Sequence, residues 1–409
     1  MPTHTAAIHL TLTAVAFRTG AHSRHKELTR ALLAAGEEVF WIGPSSDDVS
    51  DLPGIVYLPL LGRRWLRAPL LGRIISYLLS LLHHRKRLRR VSSIFVFGDL
   101  ELLAVRLFPP LRDRVVSLVL RNDLVNKARA RAELDTRLPS RWLNRLRAGF
   151  FLRLQRRLYP TATRLLVQTP AIAEELRRRV GPRLPPLHVV PNDCRPTWTR
   201  ETALGRRRLW QQRPGQKLVG FVGNLLWEVK GLELLFATFG EIRSRLDARL
   251  IVVGGGADLD RVRQRAREER FRGAVEVVGP VSNASRLMGS FDLILVTSHY
   301  DDCPNVVLEA LTARVPLVAT NIDAHSYLLG EGLVREPMVA ELAVRAVQLL
   351  TDPQARSRAL EDQEERRRRF DFDWGRAMVG ILRDTGTVSS ATPGDEERLA
   401  DPVGEDRRS

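Results

Sequence analysis

The chain has 409 residues, of which 44% are hydrophobic and 27% charged, and its formal net charge is +17. This length exceeds what one ordinary core holds, so we expect two domains, and the composition is typical of a soluble globular protein. The longest nearly apolar run, Ile74 to Leu82, is far shorter than the ~20 residues that cross a bilayer, which excludes an ordinary transmembrane helix.

The excess positive charge is confined to the first half of the chain. Residues 1–200 hold 34 Lys and Arg against 15 Asp and Glu, whereas residues 201–409 hold 30 against 32. A basic half suits nucleic acid, an anionic membrane or an acidic substrate, and an arginine bias of the genome would also produce it. The basic segments lack aromatic platforms for stacking bases, so we expect no nucleic-acid partner. The two cysteines, Cys194 and Cys303, form neither a metal motif nor a disulfide framework, and we expect no metal site and a reducing compartment.

Strands and helices alternate along the first half, which predicts a doubly wound α/β domain. Gly20 lies where the first strand passes into the first helix, a position at which the backbone can approach a ligand, although an ordinary turn glycine fits equally well. Asn122 and Asp123 follow the strand at 115–120. The predicted strands are 6–17, 39–42, 94–97, 115–120, 164–168 and 187–190, and the predicted helices are 22–35, 100–107 and 171–179.

Two basic segments, residues 60–90 and 141–157, have the pattern of amphipathic helices. Such a helix can lie in a membrane interface, held by apolar burial and by attraction to anionic lipid, or it can pack into a core with a solvated basic end. The recurrence of the pattern favours the membrane surface. The apolar positions of the first segment are Leu71, Ile74, Ile75, Leu78 and Leu82.

A polar linker around 195–213 separates a second alternation of the same kind, and a polar, acidic tail from 385 onward is expected to be disordered. We therefore predict domains at 1–198 and 199–384. The predicted strands of the second domain are 217–222, 249–253, 275–278, 293–297 and 317–320, and its helices are 232–245, 258–267, 306–313, 340–350, 353–370 and 373–382.

The loops after these strands converge at the carboxyl edge of a parallel sheet and can line one site. The turn after residue 297 carries Asp301, Pro304 at the helix start and Glu309 in the helix, so it offers free N–H groups and two carboxylates, which suits a sugar joined to a phosphate. Lys230 precedes a helix start, where an anion would offset its unfavourable charge. A solvated Lys230, an Asp301 or Asp302 that caps the helix, and a solvent-facing Glu309 are the alternatives.

Together these residues resemble the family 4 retaining glycosyltransferases of GT-B fold. The likeness rests on residues 221–231, 250–256 and 278–281, on Asp301 and Glu309 at their spacing, and on the trailing segment 315–319. It implies two Rossmann-like domains that face each other across a cleft. The first would bind the acceptor and the second a nucleoside-diphosphate-sugar, with retention and with neither metal nor cofactor.

The resemblance implies a role for each site residue. Glu309 would accept from the ribose, Asp301 would bind the sugar hydroxyls, and Lys230 would neutralise the diphosphate. The Asn305 and Val306 N–H groups would hold phosphate or sugar. The remaining candidates are Gly279 to Val281 at the base, Asp123 as a further catalytic residue, and Gly20, Gly223, Asn224, Gly254 and Pro304 in the donor site.

Three positions depart from the family pattern: Asp301 stands where Glu is usual, Asn224 where Arg is usual, and Asn122 where His often stands. The function we predict is transfer of a hexose-type sugar to a lipid-linked or polysaccharide acceptor by a cytoplasmic enzyme at the inner membrane face. The alternative is a degenerate member that binds nucleotide sugar or glycan without turnover.

Overall fold

The structure, a computed structural model of the chain, describes residues 7–13, 20–62, 71–121, 123–134, 138–194, 210 and 212–383. They form two compact units, each built on one parallel sheet. The first unit comprises residues 1–123, 149–191 and 373–409, and the second comprises 124–148 and 192–372. The predicted fold class of two doubly wound α/β domains is confirmed. Outside the described residues lie Asn122, the end of the first predicted strand, most of the linker and the tail.

The first unit contains a seven-stranded sheet in the order β3-β2-β1-β4-β5-β6-β7, with every neighbouring pair parallel. Its strands are nearly continuous apolar runs because helices cover both faces of such a sheet. The sequence did not predict β3, a short edge strand that ends in a proline. The strands are β1 Ile8–Leu12, β2 Glu38–Gly43, β3 Val56–Pro59, β4 Ser93–Val96, β5 Val115–Val119, β6 Arg164–Val167 and β7 Leu187–Val189.

The helices of the first half agree with the predicted ones to within a few residues where both exist. They are α1 Gly20–Ala34, α2 Leu71–His83, α3 Arg85–Leu88, α4 Asp99–Leu107, α5 Leu124–Leu134, α6 Leu138–Leu158 and α7 Pro170–Val180. Helix α5 and the first part of α6 belong to the second unit although they precede β6 in the chain.

Helix α2 leaves part of its apolar stripe exposed to solvent. Its buried side includes Ser76 and Ser80, whose hydroxyls donate to the carbonyls of Gly62 and Ser76 at 3.0 Å and 2.7 Å. The exposed side holds Leu71, Ile75, Leu79 and Leu82, which are 74%, 37%, 41% and 50% exposed. The stripe that the sequence identified therefore includes solvent-facing positions, and the core takes the other side of the helix.

A buried polar network crosses the first unit. The Tyr159 hydroxyl and the Gln155 amide donate to the two carboxylate oxygens of Asp99 at 2.8 Å and 3.3 Å. Arg179 then joins Gln155 to Asp123 through bonds of 2.9 Å. Burial raises the pKa of Asp99 to about 6, against the hydrogen bonds of Tyr159 and Gln155. The network thus holds a carboxyl group that keeps its proton to a higher pH than an exposed aspartic acid does.

Asp99 is expected to make the first unit less stable as pH rises. A carboxyl group whose pKa in the folded protein exceeds its unfolded value of 3.8 binds its proton more tightly in the folded state. Its contribution to the free energy of unfolding is therefore complete below pH 3.8 and is lost as the pH rises through about 6. The loss is on the order of 3 kcal/mol. Urea denaturation of the wild type and of Asp99→Asn between pH 4 and 7 should give a difference in unfolding free energy that falls across this window. Asp113→Asn, at an exposed position, is the control, and a flat difference for Asp99→Asn would contradict the prediction.

The last helix of the chain completes the first unit. Helices α14 (Trp374–Arg383) and α1 pack closely, since a Cβ on Gly375 would lie 2.9 Å from that of Ala31. Trp374 is 1% exposed, and the Arg24 Cζ atom lies 5.2 Å from the centroid of the Trp374 ring. Arg383 donates to Glu37 at 2.7 Å. The predicted boundary assigned this helix to the second domain, whereas its contacts place it in the first unit.

The second unit contains a six-stranded parallel sheet in the order β10-β9-β8-β11-β12-β13. The predicted elements recur within about two residues. Beyond them the structure adds a short helix, α11, and the two-residue edge strand β13. The strands are β8 Lys217–Val222, β9 Ala248–Val253, β10 Val275–Gly279, β11 Leu293–Val296, β12 Leu317–Thr320 and β13 Val334–Arg335. The helices are α8 Leu232–Arg243, α9 Leu259–Ala266, α10 Asn305–Ala313, α11 Asp323–Leu329, α12 Val339–Thr351 and α13 Pro353–Arg369.

None of the helices within the described ranges combines the length and apolar character needed to cross a membrane.

Candidate active site

The turn between β11 and α10 holds the central site residues. Asp301 lies in this turn, Pro304 occupies the N-cap position of α10, and Glu309 follows about one turn into the helix. Pro304 makes no side-chain cap bond, and Asp302 accepts from the Tyr300 hydroxyl at 2.5 Å. The first N–H groups of a helix have no carbonyl partner inside it, so this helix start offers donors to an anion.

Glu309 is half-buried, and its neighbours Leu308 and Ala310 are fully buried. The carboxylate therefore stands at the edge of the packed face of α10, and its surroundings differ from those of a fully solvated surface acid.

A glycine brings the loop before α8 against the end of β11. Gly231 has φ +58°, and a Cβ there would lie 2.0 Å from the Thr297 carbonyl oxygen, so only glycine fits. Across this contact the Thr297 hydroxyl donates to the Lys230 carbonyl at 3.0 Å, and the His299 N–H donates to the Val229 carbonyl at 2.9 Å. These bonds fix the backbone of Lys230 beside the turn that carries Asp301.

Lys230 and Asp301 form an ion pair. The Lys230 Nζ lies 2.5 Å from the Asp301 Oδ2, and each side chain is 17% exposed. A charge-assisted hydrogen bond between partly buried groups is stronger than an exposed surface pair. Asp301 also offsets the unfavourable charge of Lys230 near the start of α8. An arriving phosphate would compete with Asp301 for Lys230.

Three predicted glycines meet at the ends of β8, β9 and β10. Gly254 has φ +146°, and a Cβ there would lie 1.8 Å from the Gly223 carbonyl oxygen. The Gly254 N–H donates to the Gly279 carbonyl at 2.9 Å, and the Gly223 N–H donates to the Val253 carbonyl at 3.0 Å. Val281, just beyond, is 39% exposed. Gly279 is buried, whereas Gly223 and Gly254 are half-buried, so part of the backbone at this edge of the sheet faces solvent.

Asn224 follows Gly223 and is exposed. Its side-chain oxygen lies beside Gly256, 2.6 Å from where a Cβ would stand. The loop between Gly223 and Gly231 therefore contains Lys230 as its one cation.

Two positioning contacts were not predicted from the sequence. The Asn192 amide, buried at 0% exposure, donates to the Cys303 carbonyl at 3.0 Å and to the Asn305 side-chain oxygen at 2.7 Å, which orients the helix start. On the other side of the turn the Thr320 hydroxyl donates to the Ser298 carbonyl at 2.5 Å. Asn192 lies far from the turn in the chain, and Thr320 belongs to no motif. The spacing of residues in the sequence therefore did not predict these two contacts.

His325, on α11, supports Thr320. Its Nδ1 lies 2.8 Å from the Thr320 carbonyl, and because a carbonyl only accepts, this nitrogen carries the hydrogen. Burial lowers the pKa of His325 to about 4, against the opposing charge of Asp301. The imidazole is therefore neutral near pH 7 and acts as a fixed donor behind the Asp301 turn.

The structure places Asp123, the further catalytic candidate, in the first unit, and its catalytic role stays a prediction. Its side chain is 0% exposed and lies 2.8 Å from Arg179 in the first unit, so a buried ion pair already occupies the carboxylate. Gly20, the other candidate from the first unit, is the first residue of α1, as its predicted position between strand and helix requires.

Within the described part of the chain no three His, Cys, Asp or Glu side chains are grouped to hold a metal ion.

Comparisons with known proteins show which family and which folds this chain resembles. Residues 216–352 match the family model described as Glycosyl transferases group 1. An alpha-D-kanosaminyltransferase of Streptomyces kanamyceticus is 25% identical over 323 residues, which cover 76% of this chain and 80% of the relative.

Two solved structures share the fold. Sucrose-phosphate synthase from Thermosynechococcus elongatus has a TM-score of 0.74 at 17% identity and covers 92% of this chain and 98% of its own. The Anabaena protein Alr3699/HepE in complex with UDP-glucose has a TM-score of 0.69 at 15% identity. The match covers 92% of this chain and 98% of the Anabaena chain. The matched domain contains the glycine loops, Lys230, Asp301 and Glu309. Residues 216–352 therefore resemble the group 1 glycosyltransferases, and the chain shares the fold of the two solved glycosyltransferase-like structures.

Proposed function

We propose that this glycosyltransferase moves a hexose-type sugar from a nucleoside diphosphate to a lipid-linked or polysaccharide acceptor, with retention and without a metal or cofactor. The observation that carries the donor proposal is the Lys230–Asp301 pair of 2.5 Å, set between the glycine loops and the start of α10. The complex of HepE with UDP-glucose supports a nucleotide-sugar donor of this kind.

In this mechanism the diphosphate of the donor displaces Asp301 from Lys230. Lys230 and the N–H groups of Asn305 and Val306 then stabilise the charge that develops on the leaving phosphate. The released Asp301 carboxylate accepts hydrogen bonds from the sugar, and Glu309 accepts from the ribose. Pairing of Lys230 with Asp301 before binding keeps both side chains in position.

The alternative is a protein that binds nucleotide sugar with little turnover. Asn224 favours it, because an uncharged side chain stands in a loop whose one cation is Lys230. The two functions share the donor site and differ in the rate of bond cleavage.

A panel of UDP-, GDP- and ADP-sugars tested for binding and for slow hydrolysis decides the function. We expect one donor class to bind, its sugar to be released with the anomeric configuration retained, and EDTA to leave the rate unchanged. Binding without hydrolysis or transfer would favour the alternative, and failure of every donor to bind would contradict both.

We also propose that an anionic membrane surface is a partner. The solvent-facing stripe of α2 is followed directly by exposed basic residues, Arg85, Lys86, Arg87, Arg89 and Arg90. Helix α6 carries a second stripe at four-residue spacing, in which Leu138, Trp142, Leu146 and Phe150 are 75%, 65%, 50% and 52% exposed. Exposed apolar rows beside arginines suit the interface of an anionic bilayer.

Vesicle flotation tests this partner. We expect the protein to float with phosphatidylcholine vesicles that contain about 30% phosphatidylglycerol and to be released in about 0.5 M salt. The combined Ile75→Ser, Leu79→Ser and Leu82→Ser variant should lose flotation, whereas Val344→Ser, at a site 54% exposed in the second unit, should not. Equal binding to neutral vesicles would contradict the electrostatic part of the proposal.

A further inference from the structure

A cavity of about 370 Å³ opens at the amino edge of the sheet of the first unit. Its walls come from the last turn of α4 and from the segments that lead into β5 and β6. Ligands of α/β proteins usually bind at the other edge, where the strands end, and no site residue predicted from the sequence lines this cavity. The lining residues are Arg106, Arg112, Asp113, Arg114, Thr161 and Thr163.

The lining carries more positive than negative charge. It contains three arginines, Arg106, Arg112 and Arg114, and a single carboxylate, that of Asp113. Across the described part of the chain, none of these three guanidinium groups has a carboxylate within ion-pair distance. Guanidinium groups around one cavity repel each other, and an anion bound between them would offset that cost.

Backbone carbonyls hold two of the arginines in place. The Arg106 guanidinium donates to the carbonyls of Arg112 and Thr161, and Arg114 donates to the Arg89 carbonyl at 3.1 Å. The Arg106 Nε atom is buried and has no acceptor among the described residues. A guanidinium group has five N–H donors, so Arg114 also keeps donors for a ligand.

Arg112 and Thr163 supply further donors. The Arg112 side chain is exposed, and its guanidinium has no acceptor within the described residues. The Thr163 hydroxyl accepts from the Val116 N–H at 3.0 Å, so its own hydrogen remains for another acceptor. Planar guanidinium groups match the oxygens of a phosphate, and the volume falls within the range of about 300–1,000 Å³ that small-molecule pockets have. A ligand with a phosphate and a small organic group therefore suits the cavity.

We propose that this cavity binds the phosphate group of a phosphate ester, with Arg112, Arg114 and the Thr163 hydroxyl as donors. The ester is either a soluble metabolite or the headgroup of an anionic lipid, because both present the same oxygens. Arg89, which accepts from Arg114, belongs to the exposed basic run at 85–90, so a headgroup could reach the cavity beside that run. The site goes beyond the proposed transfer reaction, since none of its residues belongs to the donor site.

Calorimetry on the full chain with glycerol 3-phosphate and with glycerol, at constant ionic strength, tests the site. We expect the wild type to bind glycerol 3-phosphate and not glycerol. Arg112→Gln should weaken this binding about tenfold, and Arg112→Lys, which keeps the charge, should recover part of the loss. Arg183→Gln removes an exposed arginine of the same unit outside the cavity and should leave binding unchanged.

Flotation with phosphatidylcholine vesicles that contain about 30% phosphatidic acid distinguishes the two sources. Weaker flotation of Arg112→Gln than of Arg183→Gln indicates a lipid headgroup, whereas an effect on glycerol 3-phosphate alone indicates a soluble ester. Equal behaviour of these two variants toward both probes would overturn the site, and so would a wild type that binds neither probe. None of these outcomes affects the donor proposal.

Discussion

Replacing Lys230 by alanine is expected to lower turnover by about a thousandfold, comparable to the loss of one preorganised charge-stabilising donor in other enzymes. The ammonium is the one cation of its loop and lies 2.5 Å from Asp301. Its removal takes away charge neutralisation of the leaving diphosphate and leaves the Asp301 carboxylate, 17% exposed, without its partner. Steady-state kinetics with the donor identified by the panel measure the effect as a fall in kcat.

A second lysine–aspartate pair provides the matched control. Lys26 lies 2.6 Å from Asp51 in the first unit, where the side chains are 22% and 51% exposed. Exposed pairs of this kind contribute little, so Lys26→Ala should leave turnover unchanged and stability within about 1 kcal/mol. Comparable activity of Lys230→Ala and Lys26→Ala would remove Lys230 from the mechanism.

Glu309→Ala is expected to reduce kcat/KM by about a hundredfold, mainly through weaker donor binding, because two ribose hydroxyls would lose their acceptor. Alanine is a good helix former, so α10 should remain intact. Glu309→Gln, which keeps one acceptor oxygen, should recover part of the loss. The measurements are kcat and KM for the donor together with the melting temperature.

Glu341→Ala is the control for this substitution, because Glu341 is an exposed acid in the first turn of α12. It should leave both kinetic constants unchanged. Normal KM and kcat in Glu309→Ala would show that the Glu309 carboxylate does not bind the donor.

Local patterns in the sequence were enough to predict the framework of the second unit. A strand buried on both faces must be an apolar run, as in Leu293–Val296. Pro304 indicates where the next helix begins. Because parallel strands end at one edge, the loops that hold Lys230 and Asp301 could be expected to meet, and the structure brings the two side chains together.

Contacts between distant segments could not be predicted in this way. Helix α5 belongs to the second unit, although the chain places it within the first alternation. Asn192 and His325 each bond to a backbone carbonyl, and Asn192 bonds also to the Asn305 side chain; such contacts leave no periodic signal. Their roles depend on tertiary packing, and no spacing rule encodes it.

The same limit explains α2. Helical periodicity identifies an apolar stripe but does not say which neighbour covers it. In the structure, two serines of α2 satisfy backbone groups on the core side, where the Ser80 hydroxyl accepts from the Leu61 N–H at 2.8 Å. Leu71, Leu79 and Leu82 are left on the outside, and only the fold reveals this.

The placement of α14 in the first unit has a consequence for synthesis. A ribosome releases the chain from its amino end, so residues 192–372 have all emerged before Trp374 can cover Arg24 and Gly375 can meet Ala31. The unit whose strands are translated first is thus the last to be completed. During that interval the side of α1 that packs against α14 stays uncovered, and a message cut short before codon 374 would yield a chain whose first unit lacks its final helix.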